Sequence, residues 1–317
     1  MDFAVRVDGL QKRYGDTVAV DGVTFDVCRG EIFGLLGPNG SGKTTTVECV
    51  QGLRRAGGGR IDVLGCDPQR DRLRVRRLVG SQLQDSALPD RIKVWEALRL
   101  FSRLSPDGPP WERLLDEWGL RPQRTTAFGD LSGGQRQRLF VALALVNDPR
   151  LVILDEMTTG LDPAARRVAW DLVEAVRDRG ATVVLVTHFM DEAARLCDRV
   201  AVLRAGRIVA TATPVELVAS QAGRSTVRFT TAATDLGYLN NVTGVAEVRR
   251  AGDCITVAGS GPLLARVAHA LVDHGEEPLD LRAELPSLED AYLALTGVPA
   301  TDGGAETGKV NDGARAE

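Results

Sequence analysis

The stretch GPNGSGKT at residues 37–44 decides the fold, because it matches the phosphate-binding pattern G-x-x-x-x-G-K-[ST]. It follows the apolar run IFGLL at 32–36 and precedes a helix-like segment from Thr45 to Leu53. This is the strand, loop and helix context that the pattern needs. Glycine is required because backbone N–H groups must turn toward phosphate oxygens. The pattern predicts a phosphate loop; the alternative is an ordinary glycine-rich turn.

The residues of this loop have separate expected roles. Lys43 is predicted to reach the β- and γ-phosphates of a nucleotide, and the Thr44 hydroxyl is predicted to ligate Mg²⁺. The predicted nucleotide-binding residues of the loop are Gly37, Pro38, Asn39, Gly40, Ser41, Gly42, Lys43, Thr44 and Thr45.

Outward from the loop, short apolar strands alternate with amphipathic helices over residues 1–218. The strand candidates 151–154 (LVIL) and 182–187 (TVVLVT) are apolar without alternation, which indicates burial on both faces. This pattern predicts an α/β domain with a largely parallel sheet.

The pattern changes over residues 219–297. A helix is expected from 262 to 273, and a last helix begins at Ser287, where SLED matches a capping box. Strands are predicted near 226–230, 245–249, 254–258 and 278–283. These elements predict a small α+β domain. Residues 298–317 consist of small and charged residues with almost no large apolar side chain, so we predict a disordered tail.

Polar side chains follow two of the predicted strands. Asp155 and Glu156 follow strand 151–154, and His188 follows strand 182–187. In open α/β sheets, ligands bind beyond the carboxyl ends of the strands. Asp155 is therefore the predicted Mg²⁺ ligand, and Glu156 is predicted to orient or activate the attacking water. His188 is predicted to bind the γ-phosphate or Glu156. The alternatives are a carboxylate pair that caps a turn and a structural histidine.

A second glycine-rich segment, LSGGQRQR at 131–138, stands at the start of a predicted helix from Gln135 to Val146. Ser132 is a favourable N-cap. A glycine-rich helix start leaves backbone N–H groups free to bind an anion. The sequence thus predicts a second anion site in addition to the phosphate loop.

The composition limits the cellular setting. The net charge of −4 gives no reason to expect a nucleic-acid partner. Five cysteines without a C-x-x-C pair favour a reducing cytoplasm. The apolar runs are far shorter than the roughly 18 residues that span a bilayer. Any membrane role is therefore expected to need another chain.

The motifs GPNGSGKTT, LSGGQ, LVILDE, TTGLDP and TH occur in this order. On these residues, the first 218 positions resemble the nucleotide-binding subunit of an ABC transporter. The resemblance implies that the ligands are ATP and Mg²⁺ and that the protein forms a homodimer through ATP. In this family the subunits pair head to tail, and the LSGGQ signature of one covers the γ-phosphate bound by the other. The implied contacts to the partner's nucleotide are Ser132, Gly133, Gly134 and Gln135.

The resemblance implies further roles by position. Tyr14 in KRYGD matches the aromatic that stacks on adenine, although an isolated tyrosine could equally belong to the core. Gln84 in SQLQD matches the glutamine that contacts Mg²⁺ and the attacking water, with Gln82 as the competing choice. Asp162 in GLDP matches the loop that crosses the dimer interface. The family usually has proline where Met157 stands, and methionine leaves the turn after Glu156 less constrained.

The remaining chain resembles a narrower group. SLEDAYLALTG at 287–297, with QLQDSALPD and THFMDEAARLCDRVAVLRAGRIVATATP, is similar to the daunorubicin-resistance type of drug-export ATPase. In that type the permease is a separate integral-membrane polypeptide. The resemblance implies a cytoplasmic protein that lies peripherally on the cytoplasmic face of the cell membrane and powers export. The alternatives are a soluble ABC ATPase that acts on ribosomes or nucleic acid and a nucleotide-binding module without turnover.

One basic segment has two interpretations. RDRLRVRR at 70–77 either faces lipid headgroups or the permease, or forms a solvated, ion-paired surface.

Overall fold

The structure is a computed structural model, which describes residues 2–82, 87–105, 108–220, 224–284 and 286–297. The strands are β1 (Phe3–Tyr14), β2 (Thr17–Cys28), β3 (Ile32–Leu36), β4 (Gly58–Val63), β5 (Val79–Gln82), β6 (Leu151–Asp155), β7 (Thr182–Thr187), β8 (Arg199–Arg204), β9 (Arg207–Ala212), β10 (Arg224–Thr230), β11 (Val245–Ala251), β12 (Cys254–Ser260) and β13 (Arg282–Glu284). The helices are α1 (Lys43–Val50), α2 (Arg72–Leu78), α3 (Val94–Leu104), α4 (Trp111–Glu117), α5 (Gly133–Ala144), α6 (Pro163–Asp178), α7 (Met190–Leu196), α8 (Pro214–Ala219), α9 (Leu263–Asp273) and α10 (Leu288–Thr296).

The central sheet has six strands in the order β5-β6-β7-β3-β8-β9. All neighbouring strands are parallel except β9, which lies antiparallel to β8 at the edge. Leu36 at the end of β3 pairs with Thr187 of β7, and Asp155 of β6 pairs with Val186 of β7. Three adjacent strands therefore end side by side, and the segments that follow them lie at one edge of the sheet.

The central sheet is buried on both faces, as the unbroken apolar runs predict. Along β3, Ile32 and Leu36 belong to one hydrophobic core, whereas Phe33 and Leu35 belong to the other. The first core includes the helices that lie on one face of the sheet. The second lies beneath an antiparallel sheet of order β2-β1-β4, and α1 packs against all three of its strands.

A third sheet of order β11-β12-β10-β13 is antiparallel and carries α9 on one face. Its separate core includes Val227, Phe229, Ile255 and Val267. β13 begins at Arg282, later than the sequence predicts, because the Asp280 carboxylate accepts hydrogen bonds from the backbone and hydroxyl of Thr230. These bonds close the chain into a turn where a strand is expected.

The last helix packs on the part of the chain that contains the central sheet. Ser287 caps α10 in the predicted capping box with Asp290. The buried side chains Leu288, Ala291 and Tyr292 belong to the core on the helical face of the central sheet, and α10 contacts α7 and α8. The chain thus returns from the third sheet to the first core.

Tyr292→Ala is expected to lower the free energy of unfolding by about 3–5 kcal/mol, because it leaves a cavity in a closed core. The Tyr292 side chain is only 1 % exposed, whereas Leu293 on the same helix is 38 % exposed. Leu293→Ala is therefore the matched control and should cost about 1 kcal/mol or less. Urea unfolding curves give both values, and equal losses would contradict the docking of α10.

The basic segment 70–77 lies largely in α2, where Val75 is the one side chain buried in the core. Its arginines are exposed. Among the residues that the structure describes, only Arg70 of this segment forms an ion pair, with Asp67 at 3.6 Å. The surface is therefore solvated, but it is ion-paired at one end only.

None of the helices in the described ranges combines the length and apolarity needed to span a bilayer.

Candidate nucleotide-hydrolysis site

Two glycines fix the backbone of the segment 37–44. Gly42 has φ of 102°, and a Cβ there would lie 2.4 Å from the carbonyl oxygen of Ala19. A Cβ on Gly37 would lie 2.4 Å from the carbonyl oxygen of Leu203. At these two positions the loop passes too close to neighbouring backbone for a residue with a side chain. It leads into α1, which begins at Lys43, two residues earlier than the predicted Thr45, and ends at Val50 rather than Leu53.

Lys43 is folded back onto the loop. Its Nζ donates to the carbonyl oxygen of Gly37 at 2.8 Å and to that of Pro38 at 3.2 Å. It also lies 3.8 Å from Oε1 of Glu156. Burial lowers the pKa of Lys43, and the carboxylates of Glu156 and Asp155 partly offset that effect. The site therefore holds a buried cation whose present partners are weak neutral acceptors and one distant carboxylate.

The other residues of the loop differ in their exposure to solvent. Ser41 is buried, and its hydroxyl has no hydrogen-bond partner among the described residues. Pro38 and Thr45 are partly exposed, and Asn39, Gly40 and Thr44 face solvent. The outer rim of the loop, including the Thr44 hydroxyl, is thus open to a ligand.

Asp155 ends β6 in the interior, with 1 % of its surface exposed. Burial, followed by the neighbouring charge of Glu156, raises its pKa to about 6, against the weaker opposite effects of Lys43 and the Thr44 hydroxyl. Although that hydroxyl lies beside the carboxyl, neither Asp155 oxygen completes a hydrogen bond of good geometry with a described residue. A buried carboxyl whose hydrogen bonds are incomplete fits a cation-binding role.

Asp155→Asn is expected to stabilise the nucleotide-free protein by about 3 kcal/mol near pH 8, because a buried carboxylate no longer has to ionise inside the fold. The pKa of Asp155 rises on folding from 3.8 to about 6. Folding therefore strengthens proton binding, so wild-type stability falls as the pH rises through this window and is level above it. Urea unfolding without Mg²⁺ should show a difference that vanishes near pH 4. A difference that does not change with pH would contradict the assigned pKa.

Glu156 and His188 meet at the ends of neighbouring strands. The Nδ1 atom of His188 lies 3.4 Å from Oε1 of Glu156, and both side chains are largely buried. The adjacent His188 ring, opposed by burial and supported by Lys43, lowers the pKa of Glu156. Glu156 is therefore ionised at neutral pH and faces both a cation and an imidazole.

The backbone at Glu156 is in the left-handed region, with φ of 50°. This conformation is uncommon outside glycine and clusters at functional sites. A proline at the next position would disfavour it. Met157 imposes no such restriction, and its side chain is buried in the core.

The second glycine-rich segment forms the first turn of α5. The helix begins at Gly133, not at the predicted Gln135, and ends at Ala144, before the predicted Val146. Ser132 accepts from the Gln135 backbone, and the Gln135 side chain accepts from the Ser132 backbone at 2.9 Å. This reciprocal capping box tolerates glycines that propensity alone would place outside a helix.

The first turn of α5 is open to solvent. Ser132 and Gly133 are exposed, and Gly134 is half-buried. A Cβ on Gly133 would lie 3.5 Å from Leu161, so this turn packs beside the segment that leads into α6. α5 itself packs on α3, α6 and β5, whereas α1 packs on β1, β2 and β4. The two predicted anion sites therefore belong to different parts of the molecule.

Asp162 is exposed and caps α6. Its carboxylate accepts from the backbone N–H groups of Ala164 and Ala165, both at 2.9 Å. Within one chain, the Asp162 side chain therefore acts as the N-cap of α6.

Tyr14 lies at the end of β1 with 41 % of its surface exposed, so it is not a core residue. Lys12 lies 5.1 Å and Arg54 5.5 Å from the centre of its ring. The ring is available for stacking, and it already attracts cations to its faces.

The predicted Gln84 lies outside the described residues. The competing Gln82 is buried, and its amide exchanges hydrogen bonds with Gln137 of α5, the shorter at 2.9 Å. Gln137 escaped sequence reasoning because a glutamine between two arginines shows no signal of burial. The pair connects the end of β5 to the helix that begins at the second glycine-rich segment.

The donor set fits Mg²⁺ together with a phosphate chain. No cluster of three or more acidic, histidine or cysteine ligands occurs within the described ranges. Mg²⁺ is usually bound by one or two carboxylates together with substrate phosphates rather than by a cage of protein ligands. The unpartnered Asp155 carboxyl and the exposed Thr44 hydroxyl match that requirement.

Parallel strands that end in a phosphate loop and a carboxylate pair define a class, the phosphate-loop nucleoside triphosphatases. Comparison with known proteins narrows this class. The profile of the ABC transporter family matches residues 20–159. The daunorubicin resistance ATP-binding protein DrrA3 of Streptomyces coeruleorubidus is 38% identical over 305 residues, or 93% of this chain and 96% of that protein. The Nod factor export ATP-binding protein I of Cupriavidus pinatubonensis is 39% identical over 297 residues, or 91% and 89%.

Solved structures agree with this result. An ATP binding subunit of an ABC transporter has a TM-score of 0.60 and 28% identity, covering 69% of this chain and 92% of that one. The protein cbiO1 from Clostridium perfringens, part of the ABC transporter complex cbiONQ, has a TM-score of 0.62 and 29% identity, covering 70% and 92%. The chain belongs to the family of ABC transporter ATP-binding proteins, and it is an ATPase. The predicted family and fold class are thereby confirmed.

Proposed function

We propose that this ATPase is the energy-supplying subunit of an exporter, and that two copies close head to tail around ATP. The observation that carries the proposal is the group of Lys43, Asp155, Glu156 and His188, which the structure gathers at the ends of three adjacent strands. The group combines a cation for phosphates, an unpartnered carboxyl and an ionised carboxylate beside a histidine.

In the proposed cycle, the phosphate loop receives ATP, and Lys43 exchanges its carbonyl partners for phosphate oxygens. Thr44 and Asp155 would hold Mg²⁺, which when bound neutralises charge on the phosphates. Metal binding would ionise Asp155, since its proton and the ion compete for the same oxygens.

Glu156 is the proposed acceptor for the proton of the attacking water. Its pKa is lowered, so it is ready to accept a hydrogen bond from that water at neutral pH. His188 lies against Glu156 and is proposed to orient it and to bind the γ-phosphate. Tyr14 is proposed to stack on adenine, and Gln84 to contact Mg²⁺ and water.

The dimer accounts for the two separated anion sites. The first turn of α5 places the exposed Ser132 and Gly133 and the half-buried Gly134 at a helix start, yet it lies on different elements from the phosphate loop. A second copy placed head to tail would bring that turn to the γ-phosphate, with Asp162 at the interface. ATP charge would then be shared between two helix starts.

Ser132→Ala is expected to leave ATP binding to a single chain within about twofold of wild type. It should weaken the ATP-driven dimer at least ~10-fold, because a hydrogen bond to a charged group is worth about 1.5–3 kcal/mol. Thr213→Ala is the matched control, since Thr213 caps α8 in a similar capping box. Sedimentation of both variants in the Glu156→Gln background measures dimerisation. An unchanged dimer constant for Ser132→Ala would contradict the proposed contact.

The relatives suggest a direction of transport. One is a daunorubicin resistance protein and the other a Nod factor export protein. We propose that this chain powers export of a drug-like or other hydrophobic compound through a separate permease, from the cytoplasmic face of the membrane.

Affinity purification from gently solubilised host membranes tests this step. A multispan protein should elute with the tagged chain, and the complex should hydrolyse ATP at a rate that changes when candidate compounds are added. The Glu156→Gln chain is the control for that activity. Recovery with ribosomes or nucleic acid, and without a membrane partner, would support a soluble ABC ATPase instead.

A further inference from the structure

A buried carboxyl lies behind the site and has no assigned role. Glu192 belongs to α7, four residues after His188, and its side chain is 0 % exposed. Neither of its oxygens completes a hydrogen bond of good geometry with a described residue. A fully buried carboxyl of this kind is costly to a fold and calls for a specific explanation.

Three polar side chains from three elements face this carboxyl. They are the hydroxyl of Thr158, the hydroxyl of Thr187 and the indole N–H of Trp170. The Thr158 hydroxyl and the Trp170 indole are themselves buried and have no other hydrogen-bond partner in the part of the chain that the structure describes. The four groups thus form a closed polar cluster with incomplete hydrogen bonds, which we call the Glu192 cluster.

Two members of the cluster stand beside residues of the proposed site. Thr158 follows Glu156 by two positions, and Thr187 immediately precedes His188. The Thr187 hydroxyl also accepts from the Phe189 backbone at 3.0 Å, which shapes the turn around His188. The Glu192 carboxyl therefore connects the ends of β6 and β7, which carry Glu156 and His188.

The third member links the cluster to α6. Trp170 lies one turn after Arg166, whose guanidinium stacks 4.3 Å from the centre of the Phe189 ring. The Arg166 side chain also lies 3.5 Å from the Asp191 carboxylate. α6 therefore holds the segment after His188 at two points.

Stability alone does not explain a carboxyl here. The neighbours of Glu192 on α7, Met190, Ala193 and Leu196, all belong to the main apolar core. An apolar side chain of similar volume would fill the same space without the desolvation cost. The Glu192 carboxyl is unfavourable for packing, and it joins two strand ends of the site. A role in positioning the site residues explains it better.

We propose that Glu192 is a positioning residue, which sets the distance between Glu156 and His188 and ties both to α6 through Trp170. The proposal rests on the proposed roles of Glu156 and His188. Burial raises the pKa of Glu192, so a neutral carboxyl can donate one hydrogen bond while it accepts others. Closure of the Glu192 cluster would then fix the geometry that hydrolysis requires.

The test compares Glu192→Ala with Glu192→Gln. Glutamine keeps a donor and an acceptor, so we expect its kcat for ATP hydrolysis to stay within about threefold of wild type, whereas alanine should lower kcat at least ~10-fold. The KM for ATP should stay within about twofold in both variants, since none of the four cluster residues belongs to the phosphate loop at 37–44. A kcat for Glu192→Ala near wild type, or equal losses in both variants, would overturn the proposal.

Leu196→Ala on the same helix is the matched control for packing. It should lower Tm as Glu192→Ala does while keeping kcat, and a comparable loss of kcat would overturn the proposal. Thr158→Val removes one hydroxyl without changing shape, and it supplies the answer if Glu192→Ala does not fold. We expect Thr158→Val to lower kcat about threefold or more and to add little to Glu192→Gln. An unchanged kcat for Thr158→Val would count against the cluster.

Glu156→Gln and His188→Ala are measured beside these variants. If they keep wild-type turnover, the proposed function fails, whatever the result at Glu192. If they lose turnover while Glu192→Ala keeps it, the inference about Glu192 alone fails.

Discussion

Glu156→Gln is expected to bind ATP, to form a stable dimer and to hydrolyse ATP at least ~100-fold more slowly than wild type, which is the range of lost general-base catalysis. Glutamine keeps the size of the side chain and can still face His188 and Lys43. It cannot take the proton of the attacking water, because an amide is not a base. Chemistry is therefore lost while the binding surfaces remain.

Single-turnover release of phosphate measures the chemical step without the contribution of product release. Glu117→Gln is the matched control, since Glu117 lies in a surface ion pair with Arg113 and Arg179, on α4. It should turn over at the wild-type rate. A Glu156→Gln chain that released phosphate as fast as wild type would remove Glu156 from the proposed mechanism.

Lys43→Ala is expected to weaken ATP binding at least ~100-fold, because two charge-assisted hydrogen bonds to phosphate are each worth about 1.5–3 kcal/mol. In the free protein, Nζ is held by two carbonyl oxygens, and no carboxylate of the described residues lies within normal hydrogen-bond distance of it. These partners are easily exchanged for phosphate oxygens. The substitution also removes the cation that opposes the rise in the pKa of Asp155, so Mg²⁺ binding should need a higher pH.

Equilibrium titration with a fluorescent ATP analogue gives the affinity. Lys93→Ala is the control, since Lys93 is exposed and precedes α3. It should bind ATP as wild type does. If Lys43→Ala bound ATP with wild-type affinity, the segment 37–44 would not be the phosphate site.

Much of the fold follows from the sequence because the signals are local. The apolar runs at β3, β6 and β7 predict buried parallel strands, and such strands place Lys43, Asp155, Glu156 and His188 at one edge. The capping box at Ser287 likewise predicts the start of α10. Each of these features depends on a few neighbouring residues and a general rule of sheet or helix geometry.

The rest depends on contacts between distant segments. A capping box predicts that α10 begins at Ser287, but it does not predict that Tyr292 packs in the first core. The turn at Asp280 depends on its bonds to Thr230, fifty positions earlier. In the sequence, Glu192 resembles an ordinary polar residue of a short helix. The folded structure shows that Thr158 and Trp170 face its carboxyl. No local sequence pattern predicts these contacts between distant residues.

ATP held between two copies of this chain is the central feature of the proposed function. Sedimentation velocity of the Glu156→Gln protein, with and without Mg²⁺ and a fluorescent ATP analogue, tests it most directly. We predict a monomer without nucleotide and, with ATP, a dimer that carries one nucleotide per chain and dissociates when Mg²⁺ is removed. A protein that binds the nucleotide and remains a monomer at every concentration would contradict the account.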